Sequence, residues 1–155
     1  MPLGDMGTAT DDLPDELPTS APASLLAEIE RHMRASGWPL YQLEGAAFTF
    51  VVQSGIARWP CTLVVREDSR QVLVYSTTPF TIARAQRQVA VDWLVRTNFE
   101  LAIGNFDMDL ESGEVRCKTG LALGDGPIDP VTLDRLVGIN LSTMDLYLPV
   151  LVAMT

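Results

Sequence analysis

Residues 98–123 read NFELAIGNFDMDLESGEVRCKTGLAL, and their alternation constrains the fold more than any other stretch of the chain. Phe106, Met108 and Leu110 share one parity, while Asp107, Asp109 and Glu111 share the other. Beyond a tight turn at Glu111-Ser112-Gly113-Glu114, Val115, Cys117 and Thr119 alternate with Glu114, Arg116 and Lys118. Successive side chains of a strand point to opposite faces, so the segment predicts a hairpin that is apolar on one face and charged on the other. Pairing Leu110 with Val115 sets Met108 against Cys117, Asp109 against Arg116 and Asp107 against Lys118. A slip of one residue would set Met108 against Arg116 and is rejected on that ground. Leu101 and Ile103 have the opposite parity to Phe106, so the inward face changes near Gly104. A β-bulge at Gly104 is the expected solution, the competing reading being that the strand begins only at Asn105.

The rest of the chain supplies elements to cover such a sheet. Residues 1–19 are acidic and rich in Pro, Gly and Thr, a composition expected to give a disordered tail and to leave residues 20–155 as a single domain. A helix is expected from Ser20-Ala21-Pro22 to Gly37, with Leu25, Leu26, Ile29 and Met33 as its apolar stripe. Strands are expected at residues 40–43, 48–53, 60–66 and 71–76, where Val, Thr, Tyr and Phe are frequent. Thr81 is a plausible cap for a second helix over residues 82–97, with Ile82, Ala85, Val89, Trp93 and Leu94 inward and Arg84, Arg87, Asp92 and Arg96 outward. Asp129 caps and Pro130 opens a third helix, whose stripe runs through Leu133, Leu136, Val137, Asn140, Leu141, Met144 and Leu148. Past Leu141 its other faces turn apolar as well, through Leu146, Tyr147, Val150, Leu151, Val152 and Met154. A helix apolar on nearly every side is buried against two things at once, and the second can be another subunit. Pro149 is expected to kink or restart it.

Charge and motif content narrow the function. A formal net charge of -9, from 20 acidic and 11 basic side chains, repels phosphate backbones and anionic lipid, so neither nucleic acid nor membrane is an expected partner. The N-terminus lacks a basic, then apolar, secretory signal, and Cys61 and Cys117 make no C-x-x-C motif. A cytoplasmic protein with two reduced thiols is expected. The carboxylates from Asp107 to Glu114 resemble the start of a calcium loop, but Ser112 stands where such a loop needs glycine and Lys118 where it needs glutamate. The chain has no phosphate-binding glycine loop, no G-x-S-x-G elbow and no H-E-x-x-H. Any Ser-His-Asp or Cys-His arrangement would have to use His32, the one histidine. No catalytic residue, metal site or cofactor site is therefore assigned.

The pattern of Asn98, Leu101, Ile103, Gly104, Phe106 and Asp109, followed by Gly113-Glu114-Val115-Arg116, resembles that of the YbjN family. The helical run before Asn98 and Leu146-Tyr147-Leu148-Pro149 extend the likeness over nearly all the chain outside the tail. The resemblance implies a fold similar to the type III secretion chaperones: α+β, an antiparallel sheet of about five strands with helices packed on one face, in the order α-β-β-β-α-β-β-α. It also implies a homodimer that binds a segment of a client protein, in a chaperone-like or regulatory role, and brings no catalytic residues. Val91, Val95, Leu146, Tyr147, Val150 and Leu151 are the candidates for the dimer or client surface. The alternative is a small-ligand sensor with a pocket between helices and sheet near Trp38, Trp59 or Trp93.

Overall fold

The computed structural model describes residues 23–155. Helix α1 (Leu25–Ala35) leads into strands β1 (Tyr41–Leu43), β2 (Ala47–Gln53), β3 (Arg58–Arg66) and β4 (Gln71–Thr81). A turn of 3-10 helix (Arg84–Gln86) precedes α2 (Arg87–Glu100), and β5 (Asn105–Met108), β6 (Glu114–Ala122) and α3 (Pro130–Val152) complete the chain. The strands form one antiparallel sheet in the order β1-β2-β3-β4-β6-β5. The sheet has six strands rather than about five: all four runs expected before α2 form strands, one more than the order α-β-β-β-α-β-β-α counts.

Strand parity separates two faces. Phe48 and Phe50, then Trp59, Cys61, Leu63 and Val65, then Val72, Val74 and Ser76, and finally Val115, Cys117 and Thr119 are buried. The register places Phe50, Cys61, Ser76, Cys117 and Phe106 in one row across five strands. Small side chains fill the middle of that row and phenylalanines close its ends. Helix α3 packs on β4 and β6 and sends Asn140 down to the strands. Its amide donates to the carbonyls of Val74 at 3.0 Å and Cys117 at 3.1 Å. On one side of this seat α1, β2, β3 and the first half of α3 share a core; on the other α2, β5, β6 and the second half of α3 share a second.

Several local expectations change. The hairpin register lies two residues from the expected one, with Met108 opposite Val115 and Asp107 opposite Arg116. A slip of two preserves every face, so the apolar and charged sides stand as read. The cause is a longer turn. The Asp109 N–H donates to Glu114 O at 2.9 Å and the Gly113 N–H to Asp109 O at 2.7 Å. Asp109 receives the Glu111 N–H and the Ser112 hydroxyl, both at 2.9 Å, so it is not available to Arg116. The bulge expected at Gly104 is not formed: the strand starts at Asn105, so Leu101 and Ile103 belong to the connection between α2 and β5. Gly104 sits there at φ +84°, where a Cβ would lie 2.8 Å from Lys118 O.

Helix α1 is capped by Ser24, and Leu25 and Leu26 donate their N–H groups to the Glu67 carboxylate at 3.2 and 2.8 Å. The cap expected at Ser20-Ala21-Pro22 and the tail of residues 1–19 lie outside the described residues. Thr81 does not cap α2. It ends β4, whose pairing with β6 shifts between Thr77 and Thr81 around Pro79, a residue with no N–H to give the ladder. Consequently Ala90, Leu94 and Thr97 form the buried stripe of α2, while Val89 is exposed. Helix α3 has the expected Asp129 cap and continues through Pro149 to Val152. It is long and apolar enough to cross a membrane, yet its stripe from Leu133 to Leu151 is buried in the two cores.

Candidate protein-binding surface

Once Ala90, Leu94 and Thr97 face inward, the four-residue spacing of Val91, Val95 and Phe99 makes a second apolar line along α2, turned towards solvent. Val95 is 64% exposed and Phe99 89% exposed, values that mark side chains the core does not use. Val95 stands between two depressions. One, of about 670 Å³, is lined by Trp93, Arg96, Thr97, Phe99, Glu100 and Tyr147. The other, of about 330 Å³, is lined by Val91, Asn98, Phe106, Met108 and Leu110 among others.

Aromatic packing holds this surface. Phe106 meets Tyr147 edge to face with ring centres 5.6 Å apart, and Trp93 meets Tyr147 at 5.8 Å. These contacts tie α2, α3 and β5 together below the groove. Asn98 fixes the edge strand: its amide donates to Phe106 O at 2.9 Å and its carbonyl accepts the Phe106 N–H at 2.7 Å. One side chain thus occupies the outer edge of β5, where a further strand would pair.

Arg87 fixes the other end. Its guanidinium donates to the carbonyls of Ile82 at 3.2 Å, Leu110 at 2.9 Å, Glu111 at 2.8 Å and Ser112 at 3.0 Å. Gly113 packs beneath at φ +81°, and its carbonyl accepts the Ile82 N–H at 2.8 Å. Leu110 is thereby carried at the rim of the surface, 62% exposed rather than paired inside a strand. The Asp109 carboxyl is held below the usual carboxylate range by the Glu111 N–H and the Ser112 hydroxyl.

Among the expected surface residues, Val95 and Tyr147 line the same groove, and Val91 lines its neighbour. Leu146 is 70% exposed and Val150 40% exposed on α3. Leu151 is a correction: it is fully buried in the second core, because it continues the inward line of Met144 and Leu148. Phe99 and Arg87 were not among the candidates. The spacing of 91, 95 and 99 would have pointed to Phe99 had the helix been carried past residue 97.

Among the described residues, the cysteines, the histidine and the carboxylates singled out in the sequence lie apart from one another or in structural pairs. Cys61 and Cys117 flank Ser76 on the two neighbouring strands, so their backbones are about 10 Å apart, too far for a disulfide. Burial pushes both thiols up to about 12, which leaves almost no thiolate near neutral pH. His32 is linked at 2.6 Å to Asp134 and joins α1 to α3. Among the described residues no three His, Cys, Asp or Glu side chains are grouped to hold a metal ion. Asp107 lies 3.4 Å from Arg116 and 3.3 Å from Lys118, so the carboxylate row is an ion-paired sheet face. Trp59 is buried with its indole N–H on Ser76, and Trp38 stacks on Phe50 at 4.6 Å, so of the three tryptophans Trp93 lines the groove described above.

The fold is α+β: one antiparallel sheet with three helices on one face, an arrangement similar to that of the type III secretion chaperones. The chain belongs to the YbjN family, described as a putative bacterial sensory transduction regulator, whose model matches residues 25–153. Among solved structures it is similar to a chain of the HopA1–SchA chaperone–effector complex, with 14% identity, 76% of this chain and 87% of that chain covered, and a TM-score of 0.55. It is similar to a chain of the ExsC–ExsE complex, with 12% identity, 81% and 92% covered, and a TM-score of 0.54. YbjN from E. coli gives 9% identity, 76% and 89% covered, and a TM-score of 0.53. No curated protein matches the sequence.

Proposed function

We propose that the protein is a non-catalytic binding module of the cytoplasm that works as a homodimer and holds a segment of a client protein. The observation that carries this reading is the ridge of Val91, Val95 and Phe99, continued by Trp93 and Tyr147 and by Met108 and Leu110. Covering one such side chain is worth about 1.5–3 kcal/mol, so a partner that covers several gains a useful affinity. Leu146 and Val150 extend the apolar area on α3. The structural neighbours support a protein partner, since the HopA1–SchA structure is a chaperone–effector complex. Two separated, protonated thiols suit a reducing compartment.

Affinity capture from the native host with the wild-type chain and a Val95→Asp/Phe99→Asp variant tests the client role, circular dichroism confirming that both are folded. A protein retained by the wild type and lost from the variant is expected. Identical captured proteins for both would refute the assignment of the surface. The second reading, a small-ligand sensor, draws on the groove beside Trp93, whose volume of about 670 Å³ lies within the usual range for ligand sites.

A further inference from the structure

The face of the sheet opposite the helices carries no element of the fold, and its chemistry is unlike that of the rest of the chain. Strand parity places Arg58, Pro60, Thr62, Val64 and Arg66 of β3 there, with Leu73 and Tyr75 of β4 and Arg116 and Lys118 of β6. Arg116 lies over the Tyr75 ring at 4.8 Å. The strands present four basic side chains on this face, Arg58, Arg66, Arg116 and Lys118, against two acidic ones, Asp107 and Glu114. In a chain of net charge -9 this is a local excess of positive charge. Arg58 and Arg66 make no ion pair among the described residues.

We propose that residues 11–18 of the same chain, Asp-Asp-Leu-Pro-Asp-Glu-Leu-Pro, dock on this open face. Residues 1–22 hold five acidic side chains, Asp5, Asp11, Asp12, Asp15 and Glu16, and no basic one. Leu13 and Leu17 supply apolar contacts for Val64, Leu73 and Tyr75. The path is short. Leu25 and Leu26 are bound to Glu67, the residue after Arg66, so the chain enters α1 at the Arg66 end of the face. The six residues between Pro18 and Leu25 reach about 20 Å, enough to round the end of β3. Residues 11–18 then span about 23 Å, close to the run of about 26 Å from Arg66 to Arg58 along β3. Tethering gives an effective concentration on the order of 1 mM, so a contact with a Kd of about 0.1 mM would be roughly nine-tenths formed. This proposal does not depend on the α2 surface, and either can fail without the other.

The test is a nitroxide attached at Thr10→Cys in the full-length protein, followed by paramagnetic broadening of amide resonances. Cys61 and Cys117 are buried and protonated, so the introduced thiol is labelled selectively. Broadening of Val64, Leu73, Tyr75 and Lys118 is expected, with Val95 and Phe99 unaffected. It should fade in an Arg58→Glu/Arg66→Glu variant, and at about 1 M salt, where the screening length falls to about 3 Å. Mixing spin-labelled chains with unlabelled isotopically enriched chains separates contacts within one chain from contacts between chains. Broadening centred on α2, absent from the sheet, or present only between chains would overturn the proposal.

Discussion

Replacing Arg87 by methionine removes the guanidinium while keeping most of the aliphatic stem. Four carbonyls lose a charged donor: Ile82, Leu110, Glu111 and Ser112. A buried bond of this type is worth about 1.5–3 kcal/mol, but Leu110, Glu111 and Ser112 are exposed and water can take the donor's place. At about 0.5 kcal/mol for each bond the loss is roughly 2 kcal/mol, and for a chain of this size that lowers Tm by roughly 4–8 °C. Arg87→Lys retains the charge but brings three donors to a single point, so it should recover less than half of the loss. Urea titration of the three proteins measures the differences directly. Hydrogen exchange at the Gly113 amide, bonded to Asp109 O at 2.7 Å, should quicken in the methionine variant because the turn loosens. A loss below about 0.5 kcal/mol, or a lysine variant equal to wild type, would refute the view that Arg87 clamps the turn.

Gly113→Ala should cost more, about 2–4 kcal/mol by urea titration, since φ is +81° and the new Cβ would lie 2.4 Å from Ile82 O. Asn98→Ala frees both main-chain groups of Phe106 and should destabilise by about 2 kcal/mol, with faster exchange confined to β5. The thiols predict an alkaline limit. Their pKa rises from 9.0 to about 12 on folding, so their contribution is intact below pH 9.0 and is lost as pH climbs towards 12. Two pH units above 9.0 each thiol subtracts about 2–3 kcal/mol, and Cys61→Ala should roughly halve the slope of stability between pH 9 and 11.

Parity was the most legible property of the sequence. The faces of β5 and β6 follow from alternation alone, and a two-residue error in register leaves them intact. The error arose because Asp109 can satisfy its carboxylate either across the hairpin or inside its own turn, and local spacing does not distinguish these. The third helix was plain because Asp129 and Pro130 are a cap and an opening residue that few other structures use. The second helix was misplaced because Thr81 looks like a cap, whereas β4 continues past a bulge to reach it. Leu94 was placed inward correctly, but that displacement hid its buried neighbours Ala90 and Thr97 and the exposed line that ends at Phe99. Arg87 was read as a solvated charge, since its four acceptors are carbonyls that no sequence pattern reveals.

The central proposal is that the open ridge of α2 is a protein-binding surface and that its first partner is a second copy of the chain. Sedimentation equilibrium at micromolar concentration tests it most directly. The account predicts a mass of twice 17.0 kDa for the wild type and 17.0 kDa for the folded Val95→Asp/Phe99→Asp variant. A wild type that sediments as one chain, or a variant that stays paired, would contradict it.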